Sequence, residues 1–206
     1  NGRPLSINYI KEHVPAILEG WYLGEQGGTA AANVIFGDVN PGGKLPISFP
    51  RSVGQIPDYY DHKPSRNRSY LFAGREPIYP FGFGLSYTQF RFDNLRIEPK
   101  TIAPGGNAKV SIDITNTGSR AGDEVAQMYV HQRVASRTRP VKQLRGFRRI
   151  RLEPGQKMTI EFPISPADLS LIDVNMNRVV EPGTFDVMVG PSSVETSSVA
   201  LEVSSQ

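Results

Sequence analysis

Cysteine is missing altogether from the 206 residues, and histidine occurs only three times. The first absence excludes disulfides, thiolate nucleophiles and cysteine-ligated zinc. The second leaves His13, His62 and His131 scattered along the chain, without metal-binding spacing and without carboxylate clusters to complete a site. No metal or cofactor is expected. Long apolar runs are also lacking: none approaches the roughly 20 residues of a membrane span, and no charged-then-apolar signal segment opens the chain. No Gly-x-Ser-x-Gly elbow frames a serine, so a Ser-His-Asp hydrolase is disfavoured. The first residue is Asn1 rather than Met, and the chain reads as part of something longer.

What is present is a turn-rich globular composition, with 20 Gly, 17 Pro, 38% hydrophobic and 21% charged residues. The net charge of +3 is concentrated in Arg137, Arg139, Lys142, Arg145, Arg148, Arg149 and Arg151. These alternate with Val141, Leu144, Phe147 and Ile150, and no aromatic stacking motif accompanies them. A solvated strand face, or a contact with another domain, is preferred over nucleic-acid binding.

The N-terminal third has α/β grammar. Pro4–Ile7 and Ala16–Tyr22 are expected as strands, the second mostly buried, with a helical turn between them at Tyr9–His13. Thr29–Phe36 is expected as a helix stopped by Gly37, where a positive φ is easily accommodated. Asn40–Gly43 turns the chain, and Lys44–Pro50 is extended, its prolines pointing to a sheet edge. A parallel sheet buried on both faces needs more strands than these. Residues 1–58 are therefore expected to be the closing part of a larger α/β domain.

Residues 51–80 are rich in Pro, Tyr and Arg, and 59–88 is read as a linking segment. It ends in Phe81-Gly82-Phe83-Gly84-Leu85-Ser86-Tyr87-Thr88, which marks a joint between two textures of sequence. Two readings of its middle stand side by side. Aromatics beside Arg, Asn and Asp suit sugar recognition, which makes Asp61, His62, Arg66, Asn67, Arg68 and Tyr70 candidate pocket-rim residues. The other reading is a packed interdomain belt. Asn67-Arg68-Ser69 is a formal glycosylation sequon of a kind that chance often produces.

From Gln89 the pattern changes to period two, with Val110, Ile112 and Ile114 on one face of Ala108–Asn116. Further strands are expected at Phe90–Ile97, Glu124–Gln132, Gln143–Leu152, Met158–Phe162, Thr184–Val189 and Ser198–Val203, with a hairpin around Asn175–Asn177. Seven or eight short strands and no convincing helix predict a sandwich of two antiparallel sheets over residues 89–206.

Catalytic candidates are few. The glycines at 24, 27 and 28 match neither phosphate-binding fingerprint, and close helix-to-strand packing explains them better. Glu19, Glu25 and Asp38 could pair as acid and base, yet each has a structural role available at a strand or helix end.

Several segments together resemble the C-terminal part of family 3 glycoside hydrolases: Asn1–Leu5, Ala16–Tyr22, Gly27-Gly28, Val34–Pro46, Tyr79–Tyr87, Val125–Val130 and Arg139–Phe147. The resemblance covers essentially the whole chain, in order. It implies the end of an α/β sandwich domain followed by a fibronectin type III-like β-sandwich, in a retaining, exo-acting β-glucosidase or β-xylosidase. It also implies an Asp nucleophile on an upstream barrel and an acid/base Glu upstream of Asn1-Gly2-Arg3-Pro4-Leu5. Neither carboxylate maps onto a position here, and Glu19 and Glu25 follow that segment. The expected partners are the upstream barrel and α/β segment and a carbohydrate substrate. A stand-alone binding module is the alternative, and buttress, polymer contact and homo-oligomer interface remain open roles for the sandwich. A periplasmic or secreted setting is expected, with a cytoplasmic one left open.

Overall fold

The computed structural model describes residues 1–64 and 74–205. Ten strands fall after residue 89: β1 Phe90–Glu98, β2 Thr101–Ile102, β3 Ala108–Asn116, β4 Gly122–Gln132, β5 Gln143–Leu152, β6 Lys157–Ile164, β7 Leu171–Ile172, β8 Arg178–Val179, β9 Gly183–Gly190 and β10 Ser197–Val203. They form a three-stranded sheet, β1-β3-β6, facing a five-stranded sheet, β2-β10-β9-β4-β5, with β7 and β8 as a separate hairpin. The ladders are antiparallel except for β2 with β10, which run parallel. That pair departs from the all-antiparallel expectation, because β2 is a two-residue strand lying beside the last strand of the chain.

Period-two alternation places the core. Val110, Ile112 and Ile114 of β3 and Ile160, Phe162 and Ile164 of β6 meet Ala126, Met128 and Val130 of β4 and Phe185, Val187 and Val189 of β9, all of them buried. Burial at this scale contributes about 25 cal/mol per Å² of apolar surface, which makes the sandwich the stable body of the chain. One helical turn, α3 at Pro166–Leu169, was not anticipated. Its signature is local: Ser165 caps the turn, and Asp168 returns a bond to the Ser165 amide at 2.8 Å, with Pro166 as the first helical residue.

The N-terminal third contains α1 Asn8–His13 and α2 Gly27–Phe36. Gly37 ends α2 with φ of 83°, as its sequence position requires. Residues 45–49 run extended beside 78–83, with main-chain bonds from Leu45 to Phe83, Gly82 to Leu45, Phe49 to Tyr79 and Ile78 to Phe49 at 2.7–2.8 Å. The two expected strands at Pro4–Ile7 and Ala16–Tyr22 are not ladders. Ile17, Leu18 and Tyr22 are exposed, Tyr22 by 88%, where burial was expected. A parallel strand exists only with neighbours on its edges and helices on its faces, and no described segment of this chain pairs with either stretch.

Candidate functional site

The sequence-predicted rim lies on the connection between the two parts, and the packing there starts from glycine. Gly82 has φ of 80°, and a Cβ on it would run into the Gln127 side-chain amide. The space left by the missing side chain lets Gln127, on the outer face of β4, donate through Nε2 to the carbonyls of Gly82 at 3.1 Å and Pro191 at 2.5 Å. Gln127 Oε1 accepts the Tyr129 hydroxyl at 2.5 Å, completing a buried polar chain. Burial pushes the Tyr129 hydroxyl well above the usual tyrosine range, which keeps it a donor.

Two further ties close the joint. Asn40 Oδ1 accepts from the Ser86 hydroxyl at 2.9 Å and the Tyr87 amide at 2.7 Å, while its Nδ2 donates to the Ala121 carbonyl at 2.9 Å. Lys44 pairs with Glu124 at 2.8 Å, the side chains only 12% and 6% exposed. Lys44 also donates to the Gly84 carbonyl at 3.1 Å, and Glu124 accepts the Val125 amide at 2.7 Å. The run from Phe81 to Thr88 thus lies clamped between the N-terminal third and the five-stranded sheet.

Of the candidate rim residues, Asp61 and His62 are described, and both are partly buried. Arg66, Asn67, Arg68 and Tyr70 lie outside the described residues, as does the sequon. Sequence reasoning quoted Tyr60 in an aromatic run without giving it a role. Its ring stacks on Phe81 with centroids 4.2 Å apart and meets Tyr129 edge-on at 5.8 Å. Its hydroxyl accepts the Leu144 amide at 3.1 Å. Burial raises the Tyr60 hydroxyl pKa more than that amide lowers it.

The remaining candidates do not converge. Glu19 accepts its own neighbour's amide, that of Trp21, at 2.8 Å, and Glu25 and Asp38 are exposed. His13, His62 and His131 each bond a nearby carbonyl, those of Tyr9, Lys63 and Pro140. Among the described residues no group of three His, Asp or Glu could hold a metal ion. The packing expected of the N-terminal glycines is not a strand contact: Gly27 sits against Leu23, and Gly24 and Gly28 face open space.

The basic run divides by position. Arg149 and Arg151 are exposed on β5 and pair with Asp123 at 2.6 and 3.6 Å, a solvated strand face. Arg148 lines a cleft of about 630 Å³ between the free edges of β5 and β6, where a charge discourages further strand pairing. Arg139 and Lys142 are partly buried instead, donating to the Ser170 carbonyl at 2.8 Å and the Ser193 carbonyl at 2.5 Å. Burial draws both cations below their usual pKa ranges.

Residues 1–87 match the glycosyl hydrolase family 3 C-terminal domain, and residues 124–193 match the fibronectin type III-like domain. The chain belongs to glycosyl hydrolase family 3. A beta-xylosidase of Formosa agariphila is 51% identical over 197 residues, covering 94% of this chain and 27% of that protein. A periplasmic beta-glucosidase of Salmonella typhimurium is 44% identical over 214 residues, covering 98% of this chain and 28% of its own length. Among solved structures, a β-glucosidase from Erythrobacter marinus superposes with a TM-score of 0.96 at 44% identity, over 98% of this chain and 27% of that one. This family 3 chain therefore spans about a quarter of the length of the relatives it matches.

Proposed function

We propose that this chain is the C-terminal, non-catalytic part of a retaining, exo-acting glycoside hydrolase that releases terminal β-linked glucose or xylose. In this reading residues 1–58 complete an α/β domain, 59–88 link it to the sandwich, and 89–206 form the sandwich. The nucleophilic Asp and the acid/base Glu lie upstream, on a barrel and on the earlier part of the α/β domain. Asp61, His62, Arg66, Asn67, Arg68 and Tyr70 border the sugar pocket. Export to the periplasm or beyond fits the same picture, and the Salmonella relative's periplasmic name supports it.

The observation that carries the reading is the near-complete, in-order identity with named β-xylosidases and β-glucosidases across both halves of the chain. The exposed apolar surface of the N-terminal third, Tyr22, Phe36 and Leu18 among it, supports it too, since an unfinished α/β layer needs covering. The stereochemical half of the proposal is tested on the full-length enzyme. A retaining mechanism releases the β-anomer first, with mutarotation following. Proton NMR of an early time course on an aryl β-glucoside or β-xyloside should show that order, and initial release of the α-anomer would reject it.

A further inference from the structure

The part of the sandwich nearest the joint makes two bonds that serve no strand of its own. The register of β4 against β5 slips between Met128 and Tyr129, so that Met128 faces Gly146 while Tyr129 faces Leu144 and Arg145 has no cross-strand partner. At this bulge the Leu144 amide turns out of the ladder and donates to the Tyr60 hydroxyl at 3.1 Å. Just before β5, the Val141 amide donates to the His62 carbonyl at 2.9 Å. These two donors grip the chain on either side of Asp61. Both are held in place: Lys142 and Arg139 bind the connection between β4 and β5 to the Ser193 and Ser170 carbonyls, and His131 holds the Pro140 carbonyl at 2.9 Å. The Tyr60 ring is itself wedged between Phe81 and Tyr129.

We infer that the β-sandwich, through its bulge at Arg145 and the Val141 amide, sets the position of Asp61 and His62 at the sugar pocket, with Tyr60 as the positioning residue. The sandwich then acts on substrate binding without touching substrate. This rests on the proposal that Asp61 and His62 border the pocket. A main-chain clamp on both flanks suits the task, because bonds to amides are insensitive to side-chain rotamers and fix the backbone that carries the two polar groups. Small displacements of such groups are costly, since about 1 Å can lose about a hundredfold in rate.

The test uses the full-length enzyme, with Tyr60→Phe, Tyr60→Ala and Asp61→Ala assayed on an aryl β-glucoside and an aryl β-xyloside. Tyr60→Ala should lower kcat/KM about tenfold, mainly through KM, as expected when positioning for binding is lost. Tyr60→Phe keeps the ring stack and should recover most of that loss, while Asp61→Ala should lower kcat/KM by a similar factor. If Asp61→Ala is impaired and Tyr60→Ala is not, the anchoring inference is overturned while the rim reading stands. If all three variants match the parent enzyme, the rim reading fails and takes the inference with it. If Tyr60→Ala loses activity only in proportion to the protein that has unfolded, as read by its melting curve, with KM unchanged in the folded remainder, Tyr60 is structural and the inference is overturned.

Discussion

At the scale of single residues, Asp113 shows how an outward-facing carboxylate on a central strand is made tolerable. It is buried on the outer side of β3 and accepts bonds from Lys157 at 2.7 Å, Thr159 at 2.8 Å and Asn94 at 3.0 Å, with Arg96 at 3.5 Å. Asn94 reaches it because β1 changes register between Asp93 and Arg96, and Asn94 takes a positive φ of 53° there. The Lys157 ammonium, then Asn94 and Thr159, hold the Asp113 carboxyl well below the usual carboxylate range. A depressed pKa in the folded state stabilises the fold above the unfolded carboxylate value and loses that contribution as pH falls through it. Asp113→Asn should therefore lower the urea midpoint at pH 7, by about 1–3 kcal/mol given that Lys157 and Arg96 stay half exposed. The gap to the parent protein should narrow as pH drops below about 4. A gap that stays constant from pH 7 to pH 3 would contradict this account of Asp113.

At the scale of elements, the joint is held by side chains far apart in sequence. The Lys44–Glu124 pair is buried, so truncating one partner strands a charge, a loss of about 3–5 kcal/mol in buried settings. Lys44→Ala should destabilise strongly in urea titration, whereas Lys109→Ala, breaking a pair on β3 and β6 that is 51% exposed on both sides, should change stability by about 1 kcal/mol or less. Equal effects would mean that the joint carries no stability of its own. The elements themselves were unevenly legible from sequence. β3 and β5 follow period-two alternation and emerge with the expected bounds, because each has one face on a core that this chain supplies. β2 has two residues, too few for a period to show, and α3 announced itself only through Ser165 and Asp168. Ala16–Tyr22 was misread because its apolar run presupposes neighbours that no described residue provides. The joint was legible as a place but not as a set of contacts. Gln127 reaches Gly82 across 45 positions, and the role of Tyr60 depends on a bulge that no local pattern announces.

At the scale of the whole molecule, the two parts contribute differently. The sandwich carries its own core and cross-strand ladders, while the N-terminal third offers two helices, extended chain and exposed apolar side chains. On the proposed reading, that surface is the face on which the upstream barrel and α/β segment close, and the chemistry belongs to them. The chain and the longer relatives it matches differ by about three quarters of the relatives' length, consistent with the chain's having no catalytic carboxylate pair assigned to it. The most direct measurement is the hydrolysis of p-nitrophenyl β-glucoside and β-xyloside by the 206-residue chain alone and, at equal molar concentration, by the full-length protein containing it. The account predicts turnover by the full-length protein and none above buffer by the 206 residues. Turnover by the chain alone would contradict it.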